Sequence, residues 1–308
     1  MIMVERSPVL TFFCHAILLI GAVIVCLPLY MAFVAGSLDF ARLQKMPFPL
    51  LPEGEFWNNM VAAWTVVDFS QLYINSIITT TLIVVGKVTV SLMAAFAITY
   101  FRFPFRMTMF WIIFISLMLP IEARIIPTYE ALADVGGPLR DFFRVTGISW
   151  LVQMATGYRL ELGLQWNFIN SYSGLILPLI ASASATFLFR QFFLTVPDEL
   201  LEAAKIDNAG PFKFFIDILL PLSVTNITAL VVLLFIGNWN QYLWPLLFTT
   251  TPDMKTVVLG LRSLVPGPDE PPAWNIAMAA SFFVMLPPTL VVIFLQRWLT
   301  KGVTDVGK

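Results

Sequence analysis

The chain has 308 residues, 58% of them hydrophobic and 12% charged, with a net charge of −1. A soluble domain carries about 25% charged residues, so the composition excludes one and calls for several membrane helices; the near-neutral charge supplies no basic field for nucleic acid. One histidine excludes a histidine metal cluster, and without a GxxxxGK[ST] loop any use of ATP belongs to another protein.

The first apolar run, 9–34, is too long for a signal-peptide core and reads as a retained helix after the weakly charged start at Glu5 and Arg6. Cys14 and Cys26 within it read as buried packing residues rather than a disulfide or metal pair. Residues 35–71 are rich in proline and aromatics, including Pro47, Trp57 and Trp64, and read as a loop packed at the membrane interface. The second span, 73–100, holds Lys87 near its middle. A lysine there costs about 2.5–3.5 kcal/mol on insertion scales, so it faces the bundle interior. It either bonds carbonyls or a carboxylate, or meets a solute directly.

Arg102 and Arg106 flank Pro104 in a very short loop and mark the cytoplasmic side. The third span, 107–119, leads into Glu122 and Arg124, which alternation places near the outer surface as an interface ion pair. Pro127 to Ala133 reads as a short helix. Residues 137–170, with Arg140, Asp141, Arg144, Trp150, Arg159, Glu161 and Trp166, are too polar for a span and read as an external insertion along the membrane surface.

The fourth span, 174–188, is closed on the inside by Arg190. The fifth, 224–247, contains Asn238, Trp239, Asn240, Gln241, Tyr242 and Trp244. Lipid cannot satisfy these polar groups, so they face protein or water, as interfacial anchors or as the lining of a solute path. The sixth, 274–295, is expected to kink at Pro287-Pro288, and Arg297, Lys301 and Lys308 end the chain inside. The expectation is an all-α polytopic membrane protein. Its six spans form one transmembrane domain, with both termini in the cytoplasm.

Between the fourth and fifth spans, 195–221 reads as a cytoplasmic helical hairpin. Thr195 and Asp198 have capping-box spacing, and Pro197 suits a first turn. Ala203, Ala204 and Lys205 continue the helix. Asn208, Ala209 and Gly210 break it, since Asn and Gly accept positive φ. Pro211 starts a second helix, carried by Phe212, Phe215, Ile216 and Leu219 to Pro221. The product is a compact polar knob whose alanines admit another backbone.

Glu202-Ala203-Ala204, a turn residue at Asn208, and Ile218-x-Leu220-Pro221 resemble the EAA signature of ABC-importer permeases at the family spacing. The family usually has Gly where this chain has Asn208. Met118 to Thr128, Phe189 to Phe193, Trp239 to Leu246 and Gln296-Arg297-Trp298 are similar to the glycerol-3-phosphate-importing branch of the maltose-type carbohydrate group. The insertion has no recognised counterpart there.

The resemblance implies a non-catalytic subunit of the bacterial inner membrane that pairs with a second, homologous permease. Two ATPase subunits would bind the ATP and Mg, and a periplasmic or extracellular solute-binding protein would deliver the solute. Glu202, Ala203, Ala204, Asp207, Asn208, Gly210, Ile218, Leu220 and Pro221 would couple the chain to an ATPase. Lys87, Arg124, Asn238, Asn240, Gln241, Tyr242 and Trp244 are the candidates for the solute path. A neutral di- or oligosaccharide is the alternative cargo. A membrane enzyme would need an acidic pair or ligand set that Glu122 alone does not supply, and a passive channel has no use for the hairpin.

Overall fold

The computed structural model describes residues 8–158, 166–265 and 273–304. Glu5, Arg6, Arg159, Glu161 and Lys308 lie outside them. Among the described residues the regular structure is helical throughout. Within the described residues, three helices are long and apolar enough to cross a membrane, in Pro8–Ser37, Phe69–Tyr100 and Trp274–Gln296. Two bent helix pairs also pass that test, and Arg106–Ser116 is a shorter apolar helix.

In chain order the helices are α1 (Pro8–Gly36), α2 (Phe40–Leu43), α3 (Phe56–Val66), α4 (Phe69–Tyr100), α5 (Arg106–Met118) and α6 (Ile121–Ala133). The insertion forms α7 (Gly137–Val145) and α8 (Ile148–Thr156). Then come α9 (Tyr172–Ile176), α10 (Ala183–Phe193), α11 (Asp198–Ile206), α12 (Pro211–Phe214), a π turn over Phe215–Leu219 and α13 (Leu220–Leu222). The chain closes with α14 (Val224–Trp239), α15 (Leu243–Phe248), α16 (Val257–Ser263) and α17 (Trp274–Thr304).

One compact unit comprises Met1–Ser70 and Gly260–Pro287. Most of α1 is apolar and exposed, including Val9, Ile17 and Val25; its buried residues are Val34, Ala35 and Gly36. Such a surface needs lipid around it. Cys14 and Cys26 are free, as expected, but exposed rather than buried. At the end of α1 a Cβ on Gly36 would sit 2.9 Å from the Ala279 backbone nitrogen, so only glycine permits that approach to α17.

Residues 35–71 are more ordered than a loop, because α3 lies within them. Its buried Asn59 donates to the Gly36 and Leu38 carbonyls and accepts from Asn275. Phe33, Phe56 and Phe282 form a ring cluster beside it, and Trp64 stacks on Phe69. Helix α17 is continuous through Pro287-Pro288, the pair at which this unit ends.

The second unit comprises Gln71–Leu259 and Pro288–Lys308. Helix α4 is its spine. Val84, Val88, Leu92 and Phe96 pack with Ala185, Phe189 and Phe193 of α10. On a second side, Ile83 packs with Leu175, Leu179, Trp244 and Phe248.

The fourth span is a broken one. Helices α9 and α10 meet at 42°, with Leu177–Leu179 in a 3-10 turn that includes Pro178. Ser171 caps α9 at Gly174 and Ser182 caps α10 at Ala185, so each piece has its own start. Ile180 at the break fits against Gly86 of α4, where a Cβ would come within 2.8 Å of it. The fifth apolar run is interrupted too, with Asn240 to Tyr242 separating α14 from α15.

Near its start, α4 ties down the 253–257 segment. The fully buried Asn75 donates to the Asp253 and Lys255 carbonyls and accepts from Tyr172. Ser76 accepts from the Val257 N–H.

Candidate functional site

The hairpin begins at Pro197, which occupies the N-cap of α11 without a side-chain cap. Thr195 does not close a capping box; its hydroxyl donates back to the Phe192 carbonyl at 2.7 Å. Asp198 and Glu199 in the first turn and Lys205 in the last complement the helix dipole instead. Asp207 is the C-cap, and Asn208 follows with φ +53°.

The Asn208 N–H reaches the Lys205 carbonyl at 3.1 Å, and the Ala209 N–H reaches the Ala204 carbonyl at 2.8 Å. These are the two bonds of a Schellman C-cap with asparagine at the left-handed position. Gly210 is extended at φ −66° and serves as the N-cap of α12, with Pro211 first in that helix. The left-handed turn therefore rests on Asn208 alone.

The second arm widens into the π turn before Pro221. A proline lacks the N–H for the bond to residue i−4, and its ring crowds that carbonyl. The π turn avoids both, with Leu220 donating to Phe215 one residue further back. It also changes which residues face inward. Phe214 and Leu219 are buried together, while Phe212 and Ile216 are exposed. On a regular α-helix residues five apart diverge by about 140°; the π turn narrows that angle.

The hairpin is held to the end of α4. Phe214 meets Tyr100 edge-on at 5.3 Å, Phe215 packs on Phe96 at 4.9 Å, and Ala204 joins the same cluster. Ile218 and Leu220 pack against it, whereas Pro221 is exposed. The outer surface presents Glu202, Ala203, Lys205, Asp207 and Asn208. It also presents Ile206, 85% exposed, and Phe212, 69% exposed. The knob is thus partly apolar, and of the two alanines only Ala203 is free to meet another molecule.

A buried polar contact and a separate polar cleft lie elsewhere in the same unit. Lys87 Nζ donates to Asn238 Oδ1 at 3.1 Å, and Asn238 Nδ2 donates to the Leu234 carbonyl. The lysine's partner is therefore a neutral amide. Asn240 is the exposed C-cap of α14. With Gln241, Tyr242, Gly237, Glu122 and Ile125 it lines a cleft of about 250 Å³. Trp239 and Trp244 are buried and stacked on Phe235 and Phe248. Glu122 and Arg124 form no ion pair; two residues apart on one helix, their side chains diverge.

A family model described as the binding-protein-dependent transport system inner membrane component matches residues 87–305. The chain belongs to that family. The matched range contains both the hairpin and the cleft. The sn-glycerol-3-phosphate transport system permease protein UgpE of Yersinia pestis is 44% identical over 312 residues, covering 99% of this chain and all of the relative. Its namesake in Brucella melitensis is 45% identical over 313 residues at the same coverage. A solved bacterial ABC transporter, described as involved in import of the acidic polysaccharide alginate, shares the fold. It superposes with a TM-score of 0.73 over 95% of this chain and 98% of that one, at 18% identity.

Within this permease, sequence reasoning missed Asn75, Asn59 and helix α3. Asn75 sits in the second apolar run and Asn59 in the proline-rich 35–71 stretch, and neither carries a motif. The only available signal was a polar residue where lipid could not satisfy it.

Proposed function

We propose that this permease subunit imports glycerol 3-phosphate or a glycerophosphodiester across the bacterial inner membrane by alternating access. Full-length identity of 44% to permeases named for sn-glycerol-3-phosphate transport carries the reading. The chain does no covalent chemistry. A second homologous permease completes the path, a solute-binding protein delivers the cargo, and two ATPase subunits bind ATP and Mg. The hairpin docks on one ATPase in the cytoplasm, where both termini also lie. ATP-driven closure of the ATPase pair moves the hairpins together and rocks the spans as rigid bodies.

The exposed surface of the hairpin supports this role. Burying Ile206 and Phe212 on a partner contributes about 1.5–3 kcal/mol each. Glu202 supplies a charged contact, and Ala203 lets another backbone approach. The neutral-sugar alternative has less support, since Trp239 and Trp244 already stack on neighbouring rings and are not free to cover a sugar face.

Uptake by cells bearing the whole system, with glycerol 3-phosphate, glycerophosphocholine and maltose as competing labels, tests the cargo. The phosphate compounds are expected to enter and to compete with each other. Entry of the disaccharide alone, indifferent to both phosphate compounds, overturns the cargo and leaves the permease role intact.

A further inference from the structure

We propose that Lys87 and Arg124 together form an anion-binding site in the solute path, one that takes the phosphate group of the cargo. This rests on the phosphorylated-polyol reading above.

Lys87 lies in the middle of α4, and its ammonium meets a neutral amide, Asn238 Oδ1. Arg124 stands on α6, where the adjacent Ile125 packs against the buried cluster that contains Ile83, one helical turn before Lys87 on α4. The Arg124 Nε is buried and donates to nothing. Among the described residues, ion pairs join Arg42 to Glu53, Arg140 to Asp134 and Arg144 to Asp141, and none reaches either cation.

Two like charges and a buried, orphaned guanidinium donor oppose folding unless something else compensates them. A phosphate supplies what is missing. The guanidinium fork matches two phosphate oxygens, while lysine acts as a compact point charge. Asn238 occupies one of the three Lys87 donors and leaves two for an anion. Glu122, two residues before Arg124, lies on the wall of the 250 Å³ cleft. Two cations against one carboxylate still leave the region net positive. Asn240 and Gln241 on that wall offer neutral amides suited to the hydroxyls of a polyol. A neutral sugar would leave both cations uncompensated.

The test uses the whole importer, with partner permease, ATPase pair and binding protein, in proteoliposomes. Uptake of labelled glycerol 3-phosphate and ATP hydrolysis are both measured. Lys87→Gln and Arg124→Gln are expected to lower uptake by about tenfold or more, with ATP hydrolysis still stimulated by loaded binding protein. Lys87→Arg and Arg124→Lys keep the charge and are expected to retain most of the uptake at equal amounts of assembled complex. Equal losses in the Gln and charge-keeping variants overturn the site, because shape and not charge then decides. Undiminished uptake in both Gln variants also overturns it while leaving the cargo assignment standing. A wild-type importer that ignores glycerol 3-phosphate and carries only a neutral sugar overturns both.

Discussion

Asn208 shows how one side chain can hold a functional shape. Its φ of +53° sits in the region that only Gly, Asn and Asp visit routinely. Asn208→Gly is therefore expected to leave transport and thermal stability nearly unchanged. A β-branched residue there is strained by on the order of 1–2 kcal/mol. Asn208→Val should accordingly lower the unfolding midpoint of the detergent-solubilised complex and weaken its hold on the ATPase. Glu202 makes a different prediction. It is exposed, so Glu202→Lys should leave the chain in the membrane at normal levels, as an immunoblot of membranes would report. It should abolish transport and the co-purification of the ATPase. Normal values of both in this variant would remove the hairpin from the coupling role.

At the scale of the element, the π turn sets the orientation of the second hairpin arm. Pro221 forbids the α-helical bond at its own position, and the wider turn buries Phe214 beside Leu219. Pro221→Ala removes the obstruction and lets the arm tighten to an α-helix. Phe214 then rotates away from the Tyr100 ring. The expected outcome is unchanged helix content by circular dichroism, with ATP hydrolysis no longer coupled to uptake. Full coupling in this variant would show that the arm tolerates either register. The broken fourth span follows the same logic, since Pro178 and the Ser182 cap end one piece and start the next.

Among the described residues, three long helices, the bent α9–α10 pair, α14 and a short apolar helix provide the membrane-crossing material. The proposed map places the hairpin inside and the α7–α8 insertion outside. It can be checked in cells with Cys14 and Cys26 replaced by serine. Gln153→Cys should react with an impermeant maleimide added to intact cells, and Lys213→Cys only after permeabilisation. Both positions are exposed, so failure to label reports sidedness rather than burial. Reaction of both from the same side would refute the map.

Membrane class, helical content and the EAA hairpin were legible from the chain alone. Each depends on local information: apolar run length, proline and glycine placement, and one motif at fixed spacing. The positive φ at Asn208 was legible for the same reason. The partners of the buried polar groups were not. Asn75 meets Asp253 and Lys255, and Lys87 meets Asn238, across separations of about 150 residues or more. No periodicity encodes such pairings, because they arise only when packing excludes water and each polar atom must find whatever donor or acceptor lies nearby. The π turn was hidden for a related reason. Pro221 announces a disturbed helix, but whether it kinks, ends or widens is decided by the aromatic cluster that Phe214 and Leu219 must join.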